Sequence, residues 1–122
     1  LNPPPMRMVP TKKSIITVSP HIARAQMTVC LLRLKKPAKA LTLGRKAIAG
    51  IKKDLPGATA ALAGAHYNVA CAYALTGDEE SALDHLSKAI IEDEKYATIA
   101  AKDSDFANLK NESGFKSLIK KR

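Results

Sequence analysis

The chain has 122 residues, 20 Lys+Arg against 11 Asp+Glu, and a formal net charge of +9. That length points to one domain with a modest core. Twenty residues are Ala, and the aromatics are only Tyr67, Tyr73, Tyr96, Phe106 and Phe115, an inventory that favours close-packed helices and argues against a β-sandwich. The longest purely apolar run, Val69 to Leu75, is far too short for a membrane span.

The charge is unevenly placed. Residues 1–53 hold twelve Lys/Arg and no Asp or Glu, whereas residues 54–122 hold eight Lys/Arg and eleven Asp/Glu. The net +9 is therefore +12 followed by −3. Such a basic half suits nucleic acid, an anionic lipid surface or an acidic protein partner.

The first residues, LNPPPMRMVPTKKSIITV, carry four prolines. Proline lacks an N–H donor and disfavours helix in the residue before it, so residues 1–18 are expected to be an extended arm. A helical domain follows over 19–122. Ser19-Pro20 supplies an N-cap and a proline at the first helical position. The first helix, about 20–35, places Ile22, Ala25 or Gln26, Val29, Leu32 and Leu34 on its apolar side. Lys36-Pro37 marks a break and a restart. The second helix, about 37–53, lines up Ala40, Leu43, Gly44, Ala47, Ile48 and Ile51, with Lys52 and Lys53 favourable near its C-terminal dipole.

Leu55-Pro56-Gly57 stops that helix, and a third runs over about 58–76. Leu62, Ala65, Val69, Ala70, Tyr73 and Ala74 form its apolar side. Gly77 is placed as its C-terminal stop, and Asp78 as the cap of a fourth helix, about 79–93. Ala82, Leu83, Leu86, Ala89 and Ile90 are that helix's buried set. Three short helical pieces are expected beyond it: Tyr96 to Ala101, Phe106 to Leu109, and Gly114 to Lys120 after Ser113 as cap.

Four helices in two pairs invite a search for an internal period. In His66 to Asp93, HYNVACAYALTGDEESALDHLSKAIIED, the first helix carries His66, Val69-Ala70 and Tyr73. After the turn Thr76-Gly77-Asp78, the second carries Ala82, Leu86 and Ala89. This segment resembles a tetratricopeptide repeat. It departs from the family pattern at His66, where Trp is common, and at Glu94, where Pro often ends the repeat. A weaker copy lies upstream in Met27-Thr28, Leu31, Ala40, Gly44 and Ala47, with Gly44 in place of a bulky residue. Ala40 to Ala82 is 42 residues, so about eight residues are inserted near Asp54 to Ala61 relative to the usual period. The resemblance covers 20–120, most clearly 62–120. It implies an all-α fold of antiparallel helix pairs in a short right-handed array: a degenerate repeat at 19–54, a clear one at 58–94, and capping helices at 95–122. In the cap, Phe106, Leu109, Phe115, Leu118 and Ile119 would cover the last repeat.

No catalytic constellation, phosphate loop or metal-ligand spacing occurs, so neither an enzyme nor a cofactor is expected. Cys30 and Cys71 cannot make a disulfide framework and are expected to be small packing residues in a reducing, intracellular compartment. His66 is expected on the core side and His85 on the outer side of its helix. The resemblance implies a groove in which Asn68 and Tyr67 face a partner. Asn68 sits at a carboxylate-clamp position of some family members. The upstream counterparts, Ala25 and Val29, are not the clamp's Lys and Asn, and a third repeat is missing, which disfavours a chaperone-tail receptor.

The expected function is a non-catalytic interaction subunit of a larger protein assembly. Docking is assigned to Arg7, Lys12 and Lys13 on the arm and to Arg24, Arg33, Lys35, Lys36, Lys39, Arg45, Lys46, Lys52 and Lys53 on the first pair. RNA phosphate, as in an organellar ribosome, and an anionic lipid surface are the alternative partners, the former opposed by the lack of any aromatic before Tyr67. A soluble assembly factor and a peripheral subunit of an energy-converting membrane complex are further readings. A chain opening on Leu1 rather than Met is expected to be processed or to continue upstream. A removed transit peptide would place it in a mitochondrion or chloroplast.

Overall fold

The computed structural model describes residues 19–120. The expected arm, with Arg7, Lys12 and Lys13, lies outside them. Helix α1 spans Pro20–Arg33, α2 Pro37–Asp54, α3 Thr59–Thr76, α4 Glu79–Glu92 and α5 Lys95–Lys102; a 3-10 helix at Ser104–Leu109 leads into α6, Ser113–Ile119. The fold is all-α, with no strand among the described residues.

Local chemistry sets the helix ends. Ser19 Oγ accepts from the His21 N–H at 3.2 Å and Pro20 opens α1. Asp78 accepts from the Ser81 N–H at 3.1 Å, so α4 is capped as its sequence suggests. Ser113 is not a cap: it is the first residue of α6, and no side chain caps that helix. The eight extra residues between Ala40 and Ala82 are absorbed as helix. Helices α2 and α3 have 18 residues each and the outer pair, α1 and α4, 14.

The two helix pairs correspond at a 42-residue offset in structure as well as sequence. Gly77 ends α3 at φ 91°; its N–H reaches Ala74 O at 3.3 Å and the Asp78 N–H reaches Tyr73 O at 3.0 Å. Lys35 ends α1 at φ 60°, with the Lys35 N–H on Leu32 O at 3.1 Å and the Lys36 N–H on Leu31 O at 2.9 Å. Both are Schellman-type endings, which need one left-handed residue. Glycine adopts that conformation freely, whereas a side chain crowds the following carbonyl. Lys35→Gly is therefore expected to stabilise the fold, and Gly77→Lys to destabilise it, each by about 1 kcal/mol. Urea melts of both variants, with shifts of opposite sign, check this.

Each helix packs on its chain neighbours, α1 also touches α3, and α3 meets the 3-10 helix. Helix α3 is consequently buried on almost every side, from Ala63 to Ala74. On one side of it, Ala65 and Val69 join Ile48 and Ile51 of α2. On the other, Tyr67, Ala70, Cys71 and Ala74 join Ala82, Leu86, Ala89, Phe106, Leu109 and Phe115. Phe106, Leu109 and Phe115 are fully buried, with Leu118 and Ile119 packed against them, as expected of a closing segment. Thr28 is also fully buried, and it is the residue of α1 beside Gly44 and Val69. Leu34, expected on the apolar side of α1, is 63% exposed instead. The first helix has only one described flank against the core, so its buried register is narrower than its apolar composition suggests.

Candidate docking surfaces

Eight of the basic residues assigned to docking, Arg33, Lys35, Lys36, Lys39, Arg45, Lys46, Lys52 and Lys53, are exposed. Arg24 is half-buried, its Nη1 2.8 Å from Nδ1 of His21, whose Nε2 lies 2.7 Å from Asp54 Oδ2. The described ion pairs are His21–Asp54, Lys88–Asp84 and Lys95–Asp93. Among the described residues, no Lys or Arg of α1, α2 or the turn between them is paired with a carboxylate.

An apolar floor lies among these cations. Leu31 of α1 and Ala38, Thr42 and Leu43 of α2, with Lys39, line a shallow groove of about 420 Å³. Met27, at 57% exposure, and Leu34 extend the apolar strip on α1. Cys30 lies on the same strip and is exposed, so it is not the packing residue that its size suggests. The signal for this face was present in the spacing Met27–Leu31–Leu34, but spacing alone does not distinguish a covered strip from an open one.

A second cavity, about 360 Å³, opens where the end of α1, α3 and the 3-10 helix meet. Tyr67, Asn68 and Cys71 face it from α3, with Asp103 and Asp105 opposite and Arg33 and Lys35 at the α1 end. Both expected groove residues therefore line it. Tyr67, however, is only 7% exposed. Its ring stacks on Tyr96 at 5.0 Å and meets Phe106 edge-on at 5.7 Å. Its hydroxyl donates to Asp103 Oδ2 at 2.6 Å. Asn68 is half-buried, and its Nδ2 donates to Ala25 O at 3.5 Å, tying α3 to α1.

Cys71 Sγ and one oxygen each of Asp103 and Asp105 lie within 4.8 Å of one another, a donor set of metal-binding type. The structure already gives these groups other work. Asp103 takes the Tyr67 hydroxyl and, through Oδ1, the Asp105 N–H at 3.0 Å. The Cys71 thiol lies 3.9 Å from Asp103 Oδ2. Burial first, then the charges of Asp103 and Asp105, push the Cys71 thiol far up, so it stays protonated. Burial also raises Tyr67 and Asp105. The arrangement is a clasp joining α3 to the C-terminal segment. Sequence spacing gave no hint of it, because Tyr67 and Asp103 are 36 residues apart and meet only through the packing of the C-terminal segment on α3.

On the opposite side of α3, His66 Nδ1 and His85 Nδ1 are 2.9 Å apart, and Tyr73 stacks on His85 at 5.5 Å. His66 is buried as expected, but His85 faces inward rather than outward, because α4 turns it onto His66 and Tyr73. Burial first, then His85, Lys88 and Lys52, lowers His66 to about 4 against the opposing pull of Asp84. His85 is lowered by burial, then by Lys88, with Arg45 and Lys52 of α2 adding to it and Asp84 opposing. One ring must donate and the other accept, which excludes protonation of both, and the lowering of both groups keeps the pair neutral near pH 7. The unfolded chain takes up the proton first as pH falls. The stability that His66 contributes is thus fully present above about pH 6.5 and lost between about 6.5 and 4, by about 2–3 kcal/mol. Melting from pH 7.5 to 4.5 is expected to show that fall in wild type and a shallower one in His66→Gln.

Of the residues matching the repeat pattern, Val69, Ala70, Ala82, Leu86 and Ala89 are fully buried and Tyr73 is half-buried. No helix among the described residues is long and apolar enough to cross a membrane. No family model, no curated protein and no solved structure matches the chain.

Proposed function

We propose that the chain is a non-catalytic docking subunit of a larger protein assembly, bound through its basic N-terminal half. The observation that carries this reading is the unpaired state of the cations on α1, α2 and the turn between them. A solvated face on a folded domain normally intersperses both signs, and an uninterrupted cationic surface draws an anionic one. Protein is favoured over RNA as that surface. The first aromatic after the basic half in sequence, Tyr67, is clamped between Tyr96 and Phe106. Tyr73, which shares a pocket with Arg45 and Lys52, is already stacked on His85, so neither offers a free platform for a base.

In this reading the fold is a short tetratricopeptide-type array: two right-handed, stacked helix pairs closed by α5, the 3-10 helix and α6. The 42-residue correspondence, the matching left-handed endings at Lys35 and Gly77 and the small residues Ala40, Gly44, Ala82 and Ala89 buried between helices support it. Two repeats are marginal for a free-standing stack, which suits a subunit completed by its neighbours.

The test compares wild type with the fourfold charge reversal of Lys35, Lys36, Lys39 and Lys46 to Glu, all exposed positions. Wild type is expected to co-migrate in native extract with a complex that survives RNase and mild detergent. The variant is expected to run alone, with helicity and melting retained. Equal co-migration of the two, or loss of the complex on RNase or detergent treatment, overturns the reading.

A further inference from the structure

The 42-residue correspondence between the helix pairs shows what the open face of α1 is shaped to meet. On α3 the face formed by Ala65, Val69 and Tyr73 packs against Ile48 and Ile51 of α2. The corresponding residues of α1 are Ala23, Met27 and Leu31; Met27 is exposed, and Ala23 and Leu31 are only half-buried. Met27 and Leu34 are the exposed large hydrophobics of that strip. Leu31 and Leu43 form its groove. One α-helix is thus the element that this surface fits, since one α-helix covers its counterpart.

Charge identifies the occupant. Lys39 lines the groove itself. Lys46 lies one turn beyond Leu43 on the same side of α2, and Arg33, Lys35 and Lys36 surround Leu34. All five are exposed, and none is paired among the described residues. A second copy of the chain would set this cationic rim against itself. Residues 1–18 carry Arg7, Lys12 and Lys13 and no carboxylate, so they meet the same repulsion. We infer that this face seats one amphipathic helix of a partner protein, with an apolar stripe in the Leu31–Leu43 groove flanked by Asp and Glu facing the lysines. The inference rests on the docking reading above and names the face and the partner element.

The full chain and two synthetic 18-residue helical peptides test it. The peptides share one leucine stripe; Glu flanks the stripe in one and Lys in the other. The Glu peptide is expected to bind in fluorescence anisotropy, and at saturation to slow maleimide labelling of exposed Cys30 by at least about tenfold; Met27→Glu or Leu34→Glu should weaken binding by at least about tenfold. Both substitutions fall on exposed side chains, so the variants are expected to melt like wild type. Several results overturn the inference: equal binding of the Lys peptide, unchanged affinity in both variants, unprotected Cys30, a Leu34-dependent homodimer in sedimentation, or binding only to phosphatidylserine vesicles or poly(U). If the charge reversal releases the native complex but this face ignores the Glu peptide, the inference falls and the docking reading stands. If the charge-reversed protein still co-migrates, the docking reading falls with the inference.

Discussion

Phe106→Ala is expected to remove about 3–5 kcal/mol of stability, the range for deleting a buried aromatic ring. Phe106 is fully buried and touches Tyr67 and Phe115 at centroid distances of 5.7 and 5.6 Å. It belongs to a six-residue 3-10 helix, followed by the seven-residue α6. Neither is long enough to hold its shape alone, because helix nucleation is unfavourable and short helices recover little of its cost. These elements stay folded because two phenyl rings sit against α3 and α4. Removing the first ring leaves a void beside Tyr67 and weakens the seat of the Tyr67–Asp103 bond. A loss of this size is a large share of the total stability of a small domain. Thermal melts followed at 222 nm should show Tm falling by more than about 10 °C. Ile91→Ala, at an exposed position of α4, should change stability by under about 0.5 kcal/mol. Similar Tm values for the two variants would show that the C-terminal segment is not part of the cooperative core.

Gly44→Leu is expected to cost about 3 kcal/mol, at the upper end of overpacking penalties. A Cβ at Gly44 would lie 2.7 Å from Val69 Cγ2 and 3.3 Å from Thr28 Cγ2. Thr28 and Val69 are fully buried, so neither can swing into solvent to make room. Gly44 is thus a point where α1, α2 and α3 approach closely. Glycine within a helix costs about 1 kcal/mol relative to alanine, and the close approach offsets that cost. Gly44→Ala regains the propensity term against the clash, so its net loss should be smaller than that of Gly44→Leu. Shortening Val69 to Ala should relieve the clash, and a double-mutant cycle between Gly44→Ala and Val69→Ala should give a favourable coupling of about 0.5–1 kcal/mol. Urea midpoints of the four proteins measure it. Strict additivity would mean that the helices shift apart rather than clash.

The same glycine shows where sequence reasoning stops. In the repeat pattern Gly44 stands as a defect, a missing bulky residue in the upstream copy. In the structure it is the crossing point, and the bulk is supplied by Val69 from α3. His85 and Leu34 tell a similar story. Helical spacing placed one outside and the other inside, and the packing of α4 on α3 and the open flank of α1 reversed both.

The sequence by itself determined the four long helices and most helix ends, though not the start of α6 at Ser113. Ser19-Pro20, Gly77-Asp78 and the restart at Pro37 act through neighbours within one helical turn, so local physics is enough. It also determined the charge division and the apolar cover of Phe106, Leu109 and Phe115, because the C-terminal segment is short and its large apolar residues lie within reach of the last helix pair. Only the tertiary structure decided which cations lack a partner, and that the strip from Met27 to Leu34 lies open. The hydroxyl of Tyr67 finding Asp103, 36 residues away, was decided there too. These properties depend on residues brought together from separate helices. Their contact energies are set by crossing geometry, which no local spacing encodes.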